Sequence, residues 1–567
     1  MKRFSGDISI VLGGAAGQGV QTVEALLVQV LKREGYHVFA IKEYMSRIRG
    51  GSNSTEIRVT NTRRSAYVRR IDLLLAMDKD VLPHLEHRIT KDTIVLGERE
   101  KVCTVTKCPV VNIPFTQFAN ELGNPLYTST VAVGVTLGML GADSKVFEDY
   151  LREHFARKGE DVVAKNIEAA QKGYTFGKHI AYDAGLEVYI KRSATVKDEL
   201  LLDGMEAVGL GTLASGCNYI SSYPMSPGTG LLTFLATHAE KFKVVVDQAE
   251  DEIAAINQGL GAWYAGARAV VTTSGGGFAL MTEGISLSGM IETPIVVHIG
   301  QRPGPATGLP TRTEQADLNL VLYAGHGEFP RAIFAPGTLE EAYLVMQQAF
   351  HIADAYQIPV FVLTDQYFID AVTSVAASAL QKRPIERHIV ETKSDYQRYV
   401  LTKSGISPRG IPGYGEGLVG VDSDEHDEAA HITESATMRL AMHEKRLGKL
   451  QAITAGALMP TEIGDVAHAD IVVVTWGSNY GVVEEALELV GREDMAALHF
   501  HQVYPLPEKA KKFLSKKKIV VMENNATGQF ANLLKLEYGV AISENILKYD
   551  GDPFSVEEVV AKLKACV

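Results

Sequence analysis

The feature that most constrains the fold is a recurring order: a short β-rich apolar run, a turn of small residues, a helical stretch, then another apolar run. The N-terminus shows it first. Asp7-Ile-Ser-Ile-Val-Leu12 ends in Gly13-Gly-Ala-Ala-Gly-Gln-Gly-Val20, an amphipathic stretch covers 21–34, and a second apolar run covers 37–41. Strand, glycine turn, helix, strand is a βαβ unit and implies a parallel sheet. Residues 73–77 and 93–96 read as further strands, and 129–140 as a glycine-containing apolar helix.

The pattern restarts after a charged stretch at 178–201. Residues 204–216 read as a small-residue helix, and strands are expected at 219–222, 243–246, 269–272, 294–299, 331–334 and 359–364. Periodicity is lost between about 380 and 450. There, 406–420 reads as an ordered Gly/Pro loop, 422–428 is acidic, and 433–450 reads as a surface helix. A last α/β region has expected strands at 470–475, 497–500 and 518–522, with helices at 481–490 and 530–537. The fold class is therefore α/β, with three doubly wound parallel-sheet domains at 1–180, 195–380 and 451–567, and an ordered linker at 381–450. A chain of 567 residues is too long for one domain, which agrees.

Composition narrows the function. A net charge of −12, with basic residues scattered rather than striped, argues against nucleic acid as a partner. The four cysteines, Cys103, Cys108, Cys217 and Cys566, include no CxxC pair. A disulfide framework is not expected, and a reducing cytoplasmic setting is. The same count leaves no cluster-binding motif, so any iron–sulfur centre is expected on another chain. No run approaches the roughly 20 apolar residues that span a bilayer, and no long apolar run follows Met1-Lys-Arg, so neither a membrane segment nor a signal peptide is expected.

Three segments carry candidate chemistry. Tyr223-Pro-Met-Ser-Pro-Gly-Thr-Gly230 follows a strand and holds Ser226 between two prolines. Its hydroxyl faces a ligand at the sheet's C-terminal edge or caps the helix starting near Gly230. Glu250, Asp251 and Glu252 precede an apolar helix. Helix N-termini favour acids, which accounts for one or two of them, and Glu252, nearest the apolar run, is the candidate buried carboxylate. His298-Ile-Gly-Gln-Arg-Pro-Gly-Pro-Ala-Thr-Gly-Leu-Pro-Thr-Arg312 places Arg302 after a strand, with Thr311 and Arg312 along the same loop. An arginine with hydroxyl neighbours suits a carboxylate, although a surface loop carries arginines too. The turn with Gly14, Gly17 and Gly19, together with Arg47, Arg49, Gly50 and Gly51, suits phosphate but matches neither the Rossmann spacing nor a P-loop. His426 and His431 read as a solvated turn, an interdomain contact or a metal pair, and Asn524, Asn525 and Gln529 as groups that face a ligand or partner or satisfy a loop.

Taken together, these segments resemble the α chain of the thiamine-diphosphate-dependent 2-oxoacid:ferredoxin oxidoreductases, over nearly the whole chain and with the family's γ domain fused at the N-terminus. The resemblance implies that Glu252 hydrogen-bonds the aminopyrimidine and helps generate the ylid, beside Tyr223 and Pro224 on the thiamine side. It implies that Arg302 binds the substrate's 1-carboxylate and that Thr311 lies on the substrate side, with Arg312 expected to take a distal carboxylate. Ser226 stands where the family's Tyr-Pro-Ile-Thr-Pro motif has threonine. The glycine and arginine turns of the first domain match a region associated with coenzyme A.

No Gly-Asp-Gly motif is present. The diphosphate and Mg²⁺ are thus expected mainly on a β subunit that also carries a [4Fe-4S] cluster, in a dimer of α–β heterodimers that reduces ferredoxin. The implied reaction is reversible, coenzyme A-dependent oxidative decarboxylation of 2-oxoglutarate to succinyl-CoA and CO₂. A pyruvate-specific or broad-range enzyme, or the subunit of a non-redox thiamine decarboxylase, stands as the alternative.

Overall fold

The computed structural model describes residues 2–15, 17–45, 51–102 and 110–566, and the chain forms two compact units. One comprises Met1–Leu202, Asp370–Ser378 and Ser555–Glu557; the other comprises Asp203–Ile369, Ala379–Phe554 and Glu558–Val567.

The first unit is built on an eight-stranded sheet in the order Val110–Asn112, Ile94–Gly97, Leu73–Ala76, Asp7–Ala15, Ser52–Thr60, His37–Glu43, Val372–Val375, Leu200–Asp203. The expected βαβ unit is present, since Asp7–Ala15 and His37–Glu43 flank the helix Val20–Arg33. They do not pair with each other. Ser52–Thr60 lies between them, antiparallel to both, with Asp7 opposite Thr60 on one side and His37 opposite Thr60 on the other. The sheet is therefore mixed, which the glycine-rich reading of 47–53 hid. The strand begins directly after Gly51.

The helices Tyr127–Leu140 and Glu160–Asp183 pack backbone against backbone. A Cβ on Gly138 would lie 2.2 Å from the Tyr174 carbonyl oxygen, and one on Gly177 would lie 2.1 Å from that of Val135. Only glycine permits this approach. Buried within it, Thr130 Oγ1 donates to Asn166 Oδ1 over 2.8 Å. The second helix was not anticipated from sequence. Its charged face masks a narrow buried stripe that includes Ile167, Ala170, Gly173, Gly177 and Ile180.

The second unit carries two sheets. In the seven-stranded one, Val245–Gln248, Tyr219–Ser222, Ala269–Thr273, Ile295–Gln301, Pro359–Asp365 and Ala332–Phe334 are mutually parallel, and Gln502–Tyr504 joins the edge antiparallel. The five-stranded sheet runs Thr461–Ile463, Met495–Phe500, Ile471–Trp476, Lys518–Glu523, Glu544–Leu547, antiparallel only at the first strand. Its central strands are buried on both faces, as continuous Val/Ile runs require.

The expected surface helix at 433–450 is the helix Ala436–Ala455, and it is not only a surface element. Lys445, Arg446 and Lys449 are buried on it. Lys445 Nζ lies 2.5 Å from Glu292 Oε1, Lys449 pairs with the other oxygen of that carboxylate, and Arg446 pairs with Glu425 of the acidic stretch. Charges can be buried when each meets an opposite charge. Among the described residues no helix is long and apolar enough to cross a membrane.

Candidate active site

Three neighbouring parallel strands, Tyr219–Ser222, Ala269–Thr273 and Ile295–Gln301, end on the same edge of the seven-stranded sheet. Such an edge gathers the loops that bind ligands in α/β folds. Beneath it, His298 is fully buried between Thr272 Oγ1 and Thr364 Oγ1, each 2.9 Å from a ring nitrogen. Burial alone pushes its pKa down to about 4, so the ring is neutral and structural.

After the first strand, Ser222 Oγ donates to the Thr272 carbonyl and fixes the start of the 223–228 turn. Tyr223 is 39% exposed, Pro224 is half-buried and Ser226 is exposed. The helix Thr229–Phe242 has Gly228 as its N-cap and no side-chain cap, so the Ser226 hydroxyl does not serve as one. Gly228 passes so near the next strand that a Cβ there would lie 2.5 Å from Thr273 O.

Arg302 reaches back to this turn. Its Nη1 donates to Ser226 O over 2.6 Å, and its Nε is buried with no partner. Burial lowers the guanidinium's pKa, and the charge of Asp317 pulls the other way. Asp317 was not singled out from sequence. Its backbone N–H donates to Gln301 Oε1, its Oδ2 is buried without a partner, and burial, partly offset by Arg302, raises its carboxyl to about 6. Glu314 is raised to about 7 by burial and by the charges of Asp317 and Asp550. The signal for both was present, in two acids shortly after an arginine-bearing loop.

Glu252 is the first residue of the helix Glu252–Tyr264, and Asp251 caps that helix by accepting from Ala254 N at 2.7 Å. Asp251 thus takes the ordinary helix-start role and leaves Glu252 for another. Glu252 is 3% exposed, and its Oε1 has no hydrogen-bond partner. A Cβ on Gly277 would stand 2.4 Å from that oxygen, so the glycine leaves room in front of it. Burial raises the carboxyl's pKa, and the neighbouring Asp251 adds to the rise. A buried acid oxygen left unsatisfied costs free energy unless a ligand completes it. The NH of a nitrogen heterocycle fits that requirement.

Further along the 302–313 loop, Arg312 turns toward Asp552, with Nη1 3.4 Å from Oδ1, and packs on Gly551. Thr311 is half-buried. The loop is anchored through Thr313, whose N–H donates to Gly551 O and whose Oγ1 accepts from Tyr367 N.

The segment behind Arg302 is clamped by Gln315. Its Nε2 donates to Trp476 O, and its Oε1 accepts from Asn479 Nδ2 and Asn524 N, each at 3.0 Å. Asn525 Nδ2 donates to Gln315 O, and Gln529 Nε2 donates to Ala316 O. Asn524, Asn525 and Gln529 therefore satisfy a loop, as the sequence suggested, and the loop they satisfy carries Asp317.

In the first unit, Gly14 is the last residue but one of the strand Asp7–Ala15, Gly17 and Gly19 take φ of 91° and 84°, and Gly19 is the N-cap of Val20–Arg33. Nothing lies within 4 Å of a Cβ placed on Gly17. Gln18 ties the turn by accepting from Ala15 N and donating to Asp78 Oδ2. Gly51 also has positive φ, at 81°; Arg47, Arg49 and Gly50 lie outside the described residues. His426 is buried and stacks on Tyr399 at 3.9 Å, whereas His431 is exposed.

Two family models match the chain. One, described as pyruvate flavodoxin/ferredoxin oxidoreductase, thiamine-diphosphate-binding, matches residues 211–445; the other, pyruvate ferredoxin/flavodoxin oxidoreductase, matches 9–176. A 2-oxoacid:ferredoxin oxidoreductase subunit alpha of Sulfolobus sp. is 32% identical over 97% of this chain and 96% of its own length. The 2-oxoglutarate oxidoreductase subunit KorA of Mycobacterium tuberculosis is 30% identical over 77% of this chain and 68% of its own. The structure of 2-oxoglutarate:ferredoxin oxidoreductase from Magnetococcus marinus, with 2-oxoglutarate, coenzyme A and succinyl-CoA bound, superposes with a TM-score of 0.92, 28% identity and 99% coverage of both chains.

Proposed function

Because the chain belongs to the α-subunit family of the 2-oxoacid:ferredoxin oxidoreductases, we propose that it forms the substrate-binding and cofactor-activating half of an enzyme that decarboxylates 2-oxoglutarate to succinyl-CoA. The observation that carries the reading is the pairing at one sheet edge of a cation and a buried unsatisfied acid, Arg302 and Glu252. Relatives named for 2-oxoglutarate support the choice of oxoacid.

Arg302 holds the 1-carboxylate. Tied by Nη1 to Ser226 O, it keeps its remaining N–H groups for a bidentate contact. The exposed Ser226 hydroxyl donates to the same end of the substrate. Glu252 would hydrogen-bond the aminopyrimidine and exchange a proton with its ring nitrogen, while Tyr223 and Pro224 would flank the ring. Thiamine diphosphate supplies the carbon nucleophile for the keto group and the electron sink for CO₂ loss. Asp317 acts on Arg302 through its charge, and burial makes that charge costly, so that its carboxyl is raised to about 6. Arg312 and Thr311 take the distal carboxylate of 2-oxoglutarate. Arg312 gives up its 3.4 Å contact to the partly exposed Asp552, a small loss for a solvated pair.

The glycine turns at 14–19 and 50–51, with Arg47 and Arg49, contact coenzyme A phosphates. A β subunit brings the diphosphate site with Mg²⁺ and a [4Fe-4S] cluster, and two α–β pairs assemble into the cytoplasmic enzyme. In the overall reaction one 2-oxoacid and one coenzyme A yield one acyl-CoA, one CO₂ and one proton, and two ferredoxins each accept one electron. Residues 1–180, 195–380 and 451–567 form the γ-type, pyrimidine-binding and transketolase C-terminal-like domains, joined by 381–450.

Kinetics of the reconstituted complex with 2-oxoglutarate and with pyruvate test the substrate reading. Arg312→Ala and Thr311→Val are expected to weaken 2-oxoglutarate turnover and leave pyruvate turnover unchanged, because only the first substrate has a distal anion to lose. A parallel fall for both would place the loop on the shared oxoacid head.

A further inference from the structure

We propose that Glu341, His499 and His501 form a binding site for one divalent metal ion of the zinc class. The three residues come from the helix Leu339–Tyr356, the strand Met495–Phe500 and the residue that follows it. One ligand atom from each lies within 4.8 Å of the other two. Glu341 Oε2 is 3.8 Å from His499 Nδ1, and Oε1 is 3.4 Å from His501 Nδ1. Two ligands about 2.1 Å from a common zinc stand about 3.4 Å apart at the tetrahedral angle. The site is formed to that scale.

The tautomer of His499 makes the case sharper. Its Nε2 lies 2.9 Å from the Gly477 carbonyl oxygen, which can only accept, so Nε2 carries the proton. In the neutral ring Nδ1 is then a bare lone pair. His499 is fully buried, and its Nδ1 has no hydrogen-bond partner; neither has Nδ1 of His501. Both nitrogens face the Glu341 carboxyl group.

At His499 a carboxylate oxygen and a bare nitrogen thus face each other with no proton to share, which is repulsive as it stands. A cation between them removes the conflict. The surroundings match a metal site as well. A ligating histidine ordinarily donates its second N–H to a carbonyl or carboxylate, as His499 does to Gly477 O. The carboxylate is oriented by Gly337 N at 2.8 Å and Thr461 Oγ1 at 3.2 Å. Gly337 is needed here, since a Cβ would meet His499 Nε2 at 2.5 Å. Glu341 and His501 are part-exposed, which provides entry and room for water as a fourth ligand. Two imidazoles and one carboxylate suit zinc or cobalt better than magnesium or calcium.

The test uses the untagged full chain, stripped with a chelating resin, loaded with Zn²⁺ or Co²⁺ and desalted. Wild type should retain close to one metal per chain, with a visible Co²⁺ spectrum. Glu341→Gln and His501→Gln should bind at least about tenfold more weakly. His501→Cys should keep the metal and add a sulfur-to-cobalt charge-transfer band. If the glutamine variants fail to fold, zinc-edge X-ray absorption of wild type decides, with two imidazole nitrogens expected. Wild type without metal, glutamine variants that bind like wild type, a metal-loaded cysteine variant without the new band, or an edge spectrum lacking two imidazoles would each overturn the site. In the metal-free outcome, a proton on Nδ1 and a plain ion pair account for the cluster.

Discussion

Arg302 Nη1 donates to the backbone oxygen of Ser226 over 2.6 Å, so the arginine that follows one strand is steered by the turn that follows its neighbour but one in the sheet. The contact sets where the guanidinium sits without using up its charge, because the acceptor is a neutral carbonyl.

Arg302→Lys should therefore raise KM for the oxoacid about ten- to a hundredfold and leave KM for coenzyme A nearly unchanged. Lysine keeps the charge and loses the forked donor, and a charge-assisted hydrogen bond is worth roughly 1.5–3 kcal/mol. Steady-state kinetics on the reconstituted complex decides, and an equal rise for both substrates would move Arg302 out of the carboxylate pocket.

Glu252→Gln should abolish turnover while leaving the melting temperature of the chain unchanged or higher, since an amide is less costly to bury than an acid left unsatisfied. Gly277→Ala should also lower kcat strongly, because its Cβ would collide with Glu252 Oε1 and Thr273 Oγ1. Turnover and thermal unfolding measured side by side check both. A tenth of the wild-type rate surviving in Glu252→Gln would place the activating acid elsewhere, with Glu250 next in line.

Asp317 yields a pH prediction with a definite sign. Its carboxyl titrates at about 6 in the folded chain against 3.8 as a free group. The folded state then binds the proton more tightly, so this stabilising contribution is complete below pH 3.8 and is lost as pH rises through 6. Its size is roughly 1–3 kcal/mol. Asp317→Asn should be more stable than wild type at pH 7–8, with the difference vanishing near pH 4. Melting curves of the two proteins across that range provide the comparison, and curves that stay parallel would refute it.

Gly177→Ala should destabilise the first unit by roughly 1–3 kcal/mol, since the new Cβ meets Val135 O at 2.1 Å and two helix backbones must separate to admit it. Denaturant unfolding followed by circular dichroism measures this. An unchanged midpoint would mean that the helices are not locked by their glycines.

The central strands of the second unit were legible in sequence because they are buried on both faces. The expected strand 359–364 differs from the observed Pro359–Asp365 by one residue, because an apolar run between Pro and polar residues marks its own limits, whereas 243–246 begins two residues before the part-exposed edge strand Val245–Gln248. The first unit was harder. Ser52–Thr60, SNSTEIRVT, opens with five polar residues and yet is largely buried, and the helix Glu160–Asp183 hides its packing face among charges. Both depend on a partner surface that local pattern does not display.

The sequence by itself determined the α/β class, the strand ends that bear Ser226, Glu252 and Arg302, and the lack of any cysteine motif for a cluster. These are local properties of composition, periodicity and spacing. Tertiary structure alone decided which groups are deprived of water and partners. The orphaned oxygen of Glu252, the raised acid of Asp317 between Gly275 and Arg302, and the unpartnered nitrogens of His499 and His501 facing Glu341 arise where segments distant in sequence close on one another. Burial and the identity of the group across the gap set a side chain's charge and hydrogen-bonding demand, and neither is written in its sequence neighbours.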